Sequence, residues 1–366
     1  MTLNWLLTAY TSFLSLVFLG LLGIAIYPYA KRKQPEVIYK GNQKEKVLVI
    51  SPCRGVDLTL KKNLSSLKSQ TYKNYSVICV VDDLNDPSVP IIKELGLNLI
   101  VSDSDIGKGS GKVKAISTAI KKYPEYNVYA IADSDVEFTN YWLERMIAPF
   151  SESNVVATTS YPYFNPVGGF WSKVKMVWSF VGNGMMESDT TLFGWGGSLA
   201  FRSSLMNSKS LSEFSNSLSD DIYITRKSKS KGKLVYIGDV GLTVNTDDKF
   251  DSFMEWSNRQ TALTMLGSKS NFKYGVILYS GQELLFFSSI ILSISVSYLF
   301  LIFLIPFAIG EIKTYMRAPK HKAYALFIFL FINIIYLVNL AYARSMSKIS
   351  WRGNDYKIVQ DLSRQS

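Results

Sequence analysis

The run Tyr129-Ala-Ile-Ala-Asp133-Ser-Asp135 is apolar for four residues and then stops at two carboxylates flanking a small side chain. Its first half has the composition of a buried strand, and the abrupt polar end marks where that strand leaves its sheet. Carboxylates need solvent or a cation. The carboxyl end of a strand in an open α/β sheet offers both, because such sheets bind ligands in the crevice there. Two Asp side chains one residue apart present hard oxygens of the kind Mg²⁺ or Mn²⁺ takes, alongside diphosphate oxygens of a substrate. A solvated strand-end turn would read the same way, so the motif needs support from the rest of the chain.

Support comes from two further acidic pairs. Ser76-Val-Ile-Cys-Val-Val81 is apolar and β-branched and runs into Asp82, Asp83, Leu84, Asn85, Asp86 and Pro87, a turn composition. An Asp at that strand end can accept hydrogen bonds from a base or ribose. Upstream, residues 46–50 form another candidate strand, closed by Ser51-Pro-Cys-Arg-Gly55 before an amphipathic stretch at 58–67. Strand, loop and helix therefore recur, as in a Rossmann-like nucleotide-binding half. The third pair, Asp220 and Asp221, opens a helical segment behind the serine-rich stretch 208–219. Acids in a first helical turn favour the macrodipole, so capping alone would account for them. Their chemical use would be as a general base, which transfer to a hydroxyl requires. The chain has one histidine, His321, which favours carboxylate chemistry by elimination.

A departing nucleoside diphosphate builds negative charge that cations must meet. Ile106-Gly-Lys108-Gly-Ser-Gly-Lys112-Val-Lys114 combines glycine freedom with three lysines, in a spacing that is not a Walker A loop. Trp256-Ser-Asn-Arg259-Gln260 is the other candidate.

Taken in order, Gly55-Val-Asp57 with Asn63-Leu64, Ile78-Cys-Val-Val-Asp82 with Asp86-Pro87, Gly111-Lys112-Val, Asp133-Ser-Asp135, Gly196-Gly-Ser-Leu-Ala-Phe-Arg202 and Ser350-Trp-Arg-Gly353 resemble a family 2-type glycosyltransferase of GT-A fold. The resemblance is nearest to the ceramide glucosyltransferase family. It implies that Asp82 contacts the donor nucleoside and that Lys112 lies near its base or phosphates. It also implies that Asp133 and Asp135 form the Asp-x-Asp element, with Asp135 the usual metal ligand, and that Asp221 is the catalytic base. Asp220 stands where that pattern often has Glu. Arg259 matches the Arg of the family's Arg-Trp motif and is expected on the diphosphate. The sequence departs there, with Gln260 in place of the Trp and Trp256 where the motif would begin. Trp195, Gly196, Asp220 and Trp256 are expected on the acceptor side.

Composition fits a membrane-bound enzyme, with 48% hydrophobic residues in 366. Residues 5–29 are uncharged, long enough to span, and lack a cleavage site, so they read as a signal anchor. Lys31, Arg32 and Lys33 follow, which by the positive-inside rule puts the catalytic domain in the cytoplasm. Two further apolar runs, 284–309 and 323–343, give three spans. That arrangement sets Lys313, Arg317, Lys320 and Lys322 in an external loop, against the same rule. A hairpin within 284–309 would resolve this, but the run is too short for two spans of about 20 residues each. The other resolution is that one run is re-entrant or lies along the interface. The net charge of +11 is dispersed, without an aromatic-interleaved nucleic-acid motif, and suits an anionic membrane surface better than nucleic acid.

The expected organisation is an anchor at 1–33, an α/β GT-A domain at 46–248, an interfacial segment at 249–283, a membrane region at 284–343 and a cytoplasmic tail at 344–366. The stretch 208–219 is expected to be a mobile loop over the acceptor cleft. The expected partners are a UDP-hexose donor and a membrane lipid acceptor, with Mg²⁺ or Mn²⁺ as cofactor. A polysaccharide synthase, which would need more spans, a polyprenyl-phosphate glycosyltransferase and a non-catalytic sugar- or lipid-binding scaffold are the alternatives.

Overall fold

Two apolar cores sandwich the central sheet, which is why its strands read as unbroken apolar runs. In β1 (Val47–Pro52), Val47 and Val49 enter one core and Leu48 and Ile50 the other. The same alternation holds in β4 (Val128–Ala132), with Val128 and Ala130 on one face and Tyr129 and Ile131 on the other. A strand buried on both faces needs apolar side chains at every position. Each fully buried large apolar side chain contributes about 1.5–3 kcal/mol.

The structure is a computed structural model that describes residues 2–31, 44–238, 240–268, 270–351 and 354–357. Arg32, Lys33 and the Arg352-Gly353 pair lie outside the described residues, as does the tail beyond Lys357. Helix α1 (Thr2–Lys31) precedes β1, α2 (Leu60–Lys68), β2 (Tyr75–Val81), α3 (Val89–Glu94), β3 (Asn98–Val101), α4 (Gly111–Lys122) and β4. Then come β5 (Val136–Glu137), α5 (Trp142–Ile147), β6 (Val155–Thr159), β7 (Tyr163–Pro166), α6 (Phe170–Met186), β8 (Ser198–Arg202), α7 (Ser208–Ser215) and α8 (Asp220–Lys231). The chain continues through β9 (Lys233–Tyr236), β10 (Thr243–Thr246), α9 (Phe250–Gly267), α10 (Ser270–Ser295), α11 (Ile305–Arg317) and α12 (Lys322–Ser345). It closes the described part with the hairpin β11 (Lys348–Trp351) and β12 (Asn354–Lys357).

The seven-stranded sheet has the order β3-β2-β1-β4-β8-β6-β9, and β5, β10 and β7 form a second sheet. Strands β3, β2, β1 and β4 are parallel, so Asp82 and Asp133 emerge from the same edge. Strand β8 runs antiparallel to β4, pairing Ser198 with Ala132. That reversal delivers the preceding Trp195-Gly196-Gly197 to the edge where Asp133 emerges.

Three expectations are corrected. The run 284–309 is not one span but the tip of a helical hairpin. Helix α10 ends at Ser295, and a 3-10 turn, Tyr298–Leu304, leads into α11. The limbs pack antiparallel, with Ser289 donating to the Phe300 carbonyl at 2.7 Å and Phe286 against Phe307 at 4.7 Å. Four described helical segments are therefore long and apolar enough to cross a membrane: Trp5–Ile26, Ser270–Ser295, Tyr298–Arg317 and Lys322–Ser345. The limbs extend past the apolar run because Gln282 and Glu283 interrupt it inside α10.

The Lys313 to Lys322 loop is likewise not remote from the catalytic unit. Arg317 pairs with Glu187 at 3.0 Å and donates to the Phe180 carbonyl, while Lys313 donates to Ala25 near the end of α1. Finally, the serine-rich stretch is largely helix α7, capped by Asn207 and pinned by the fully buried Phe214.

Candidate active site

The turn after β4 is held from behind. Asp57 accepts from the Ser134 hydroxyl at 2.6 Å, and the Asn63 side chain donates to the Ser134 carbonyl at 2.9 Å. Both neighbours of Ser134, Asp133 and Asp135, are thus aimed by a residue between them. The loop after β1 is tied to the one after β2, because both carboxylate oxygens of Asp86 accept from the Gly55 amide at 3.0 Å. Gly55 has φ of +72°, a conformation that costs a residue with a Cβ. Arg54 on that loop lies 3.4 Å from the exposed Asp82.

Lys112, in the first turn of α4, joins the second and third acidic clusters. Its ammonium is 2.7 Å from Asp133 Oδ1 and 3.2 Å from Asp220 Oδ2, and it is only 11% exposed. Burial by itself would lower its pKa, but the Asp133 and Asp220 carboxylates outweigh it, and the net shift is upward. Gly196 is what lets this pair close: a Cβ there would sit 2.8 Å from Lys112 Nζ and against the Asp220 carboxylate.

Asp221 opens α8 behind the cap residue Ser219. Its Oδ1 accepts from the Ile222 amide at 2.7 Å and from the Ser219 hydroxyl. Burial and then the neighbouring Asp220 charge push its carboxyl up to about 6, against the opposing pull of Ser219 and Lys112. A carboxylate in that range can take a proton near neutral pH.

Lys175 and Asp248 are functional candidates that the sequence reading did not single out. Their side chains pair at 3.1 Å, nearly buried, and the ammonium stands 4.7 Å over the Trp256 ring. Burial lowers the Lys175 pKa, with Asp248 and Asp135 opposing and Arg259 adding to the fall. The available signal was two lysines, 173 and 175, inside an otherwise apolar helix. Arg259, one turn beyond Glu255 on α9, is 17% exposed. Trp256 packs edge-on to Phe164 at 5.4 Å and to Trp178 at 4.9 Å. Trp195 donates its amide to Thr159 and sets its ring edge-on to Tyr161.

One cavity of about 990 Å³ is lined by all of these: Asp82, Lys112, Asp133, Asp135, Trp195, Gly196, Asp220, Asp221, Trp256 and Arg259, and also Lys175. Apolar side chains also line it, among them Trp178, Val181, Met185, Phe193, Leu218, Leu263 and, from the membrane-length helix α10, Tyr274. Among the described residues no three His, Cys, Asp or Glu side chains cluster as a metal cage. Asp133 and Asp135 remain as a two-carboxylate donor set, which suits a cation that completes its shell with diphosphate oxygens and water. Lys112 engages one Asp133 oxygen of that set.

The sequence matches the profile described as glycosyl transferase family 21 over residues 10–363. No curated protein sequence matches the chain. Among solved structures, the mannosyltransferase PcManGT from Pyrobaculum calidifontis, solved with GDP-Man and Mn²⁺, is 15% identical. That match covers 90% of this chain and 96% of the other at a TM-score of 0.50. Glucosyl-3-phosphoglycerate synthase from Mycobacterium tuberculosis, solved with UDP, is 10% identical over 61% of this chain and 80% of the other, at a TM-score of 0.41. The mannosyltransferase match is a likeness of fold. The profile, by contrast, extends over nearly the whole sequence, so the chain belongs to glycosyl transferase family 21 and is a glycosyltransferase built on a GT-A-type α/β sheet.

Proposed function

We propose that the enzyme moves a hexose, glucose by its resemblance to ceramide glucosyltransferases, from a UDP-sugar to the hydroxyl of a membrane lipid in one inverting step. The observation that carries this is a single cavity lined both by carboxylates and cations and by apolar side chains, Tyr274 of the membrane-length α10 among them. A soluble acceptor would not need that apolar lining.

In this reading Asp82 holds the nucleoside, while Lys112 and Arg259 face the diphosphate. Asp135, with Asp133, would hold a divalent cation, Mg²⁺ or Mn²⁺, which when bound neutralises diphosphate charge. The acceptor oxygen bonds to the anomeric carbon as the bond to the diphosphate breaks, and the hydroxyl proton passes to Asp221. No covalent intermediate is required. Titrating the purified protein with UDP-glucose should give binding that Mn²⁺ strengthens and that Asp135→Asn makes metal-independent. Binding of equal strength with and without metal in the unaltered protein would remove Asp135 from this role.

Both ends of α12 sit on the catalytic side. At one end Lys173 stands 5.0 Å over the Tyr324 ring, and at the other Ala343 packs with Ala262 of α9. Between them its outward stripe, Phe327, Leu330, Ile334, Val338 and Tyr342, is wholly apolar. We therefore read α1, α10 and the 298–317 limb as the crossing helices and α12 as lying in the membrane surface beside the cytoplasmic catalytic unit. Lys313, Arg317, Lys320 and Lys322 then satisfy the positive-inside rule. With an impermeant maleimide on intact cells, Ser297→Cys should label, whereas His321→Cys and Ser347→Cys should label only after permeabilisation. Labelling of position 347 in intact cells would mean that α12 crosses.

A further inference from the structure

We propose that Asn339, on the apolar helix α12, is a positioning residue for the active site: by bonding the Trp178 indole and the turn of α9 before Arg259, it fixes where Arg259 enters the cavity. The proposal rests on the reading of Arg259 as the diphosphate contact.

An amide in an apolar, lipid-side helix costs free energy unless its groups are bonded. Asn339 is fully buried against α6 and α9. Its Oδ1 accepts from the Trp178 indole N–H at 2.9 Å, and its Nδ2 donates to Ser257 Oγ at 3.1 Å and Asn258 Oδ1 at 2.7 Å. Both donors and the acceptor are therefore used, and they are used on two different helices of the catalytic unit. One turn earlier, the Tyr336 hydroxyl donates to the Trp178 carbonyl at 2.8 Å.

What these partners carry is the point of the arrangement. Ser257 and Asn258 stand immediately before Arg259 on α9, and Trp178 packs edge-on to Trp256. Trp178, Trp256 and Arg259 all line the cavity. Plain membrane anchoring would be met by leucine at position 339. A fully satisfied three-way amide bond is the feature of a joint that sets geometry, since partly satisfied polar groups in such a place would be worse than an apolar contact. The membrane-side helix is thus a structural member of the site.

The test is a double-mutant cycle on the full-length protein in detergent or lipid, with kcat and donor KM measured for Asn339→Leu, Arg259→Ala and both together. Misplacement of about 1 Å at a reacting centre costs about 100-fold in rate. Asn339→Leu should accordingly lower kcat/KM for the donor by about that factor with a folded, monodisperse protein. In the Arg259→Ala background the same change should do little, because the group it positions is gone. Losses that multiply in the double variant would show that Asn339 does not act through Arg259 and overturn the proposal, as would unaltered kinetics of Asn339→Leu. Arg259→Ala with unchanged donor kinetics would instead overturn the diphosphate reading, and the proposal with it. Should Asn339→Leu fail to fold, Trp178→Phe removes one bond of the same network and takes its place in the cycle.

Discussion

Asp221→Asn is expected to lower the transfer rate by about 10²–10⁴-fold, the range a positioned general base contributes, while leaving donor binding intact. Asparagine keeps the Oδ1 atom in the first turn of α8, so the hydrogen bonds from Ile222 and Ser219 survive. Only proton uptake is lost. Because the fold pushes this carboxyl up to about 6, the unaltered enzyme should lose activity as pH falls through that value and hold a plateau above it. The acid limb should vanish in the variant. The same shift has a stability consequence. A carboxyl whose pKa is raised on folding binds its proton more tightly in the native state, so the charged form weakens the fold above that pH. Asp221→Asn should therefore unfold at a temperature equal to or above that of the parent at neutral pH. Normal turnover in the variant would take the base role away from Asp221.

Lys112→Met is expected to damage both stability and activity. The ammonium stands between Asp133 and Asp220, at 2.7 and 3.2 Å, in a place almost closed to solvent. Removing one partner of a buried ion pair costs about 3–5 kcal/mol, because the remaining charge is left uncompensated. Here two carboxylates are left facing each other without a cation. The unfolding temperature should fall steeply. Adding Asp220→Asn should restore some stability without restoring transfer, since Lys112 also faces the diphosphate. An unfolding temperature that does not change would mean that the Lys112 contacts carry no net energy.

The parallel half of the sheet was legible because β1, β2 and β4 are buried on both faces and so are written as continuous apolar runs ending in turns. Asp82 and Asp133 could be placed at strand ends for that reason. Long-range pairing was not legible. Nothing local to Gly196 says that the antiparallel β8 sets it against Lys112 and Asp220, a contact that only the folded sheet order creates. Asp248 and Asn339 were invisible for a related reason, and Lys175 showed only as a charge in an apolar helix. Each is an ordinary residue in its own segment and gains meaning from side chains on other elements. The hairpin of α10 and α11 was hidden because the apolar run passes straight through the break at Val296 and Ser297, where only a serine cap marks the turn. The charges of the following loop held a clue, since the positive-inside rule conflicted with a loop on the far side.

The central claim is that this one cavity joins a nucleotide-sugar site to a lipid acceptor site. Transfer of radiolabel from a panel of UDP- and GDP-hexoses into extracted membrane lipids, by purified protein with Mn²⁺, with Mg²⁺ and with chelator, tests it most directly. The account predicts a chloroform-soluble labelled product formed from a UDP-hexose and lost on chelation. Label found only in a water-insoluble polymer, or no transfer from any donor, would contradict it.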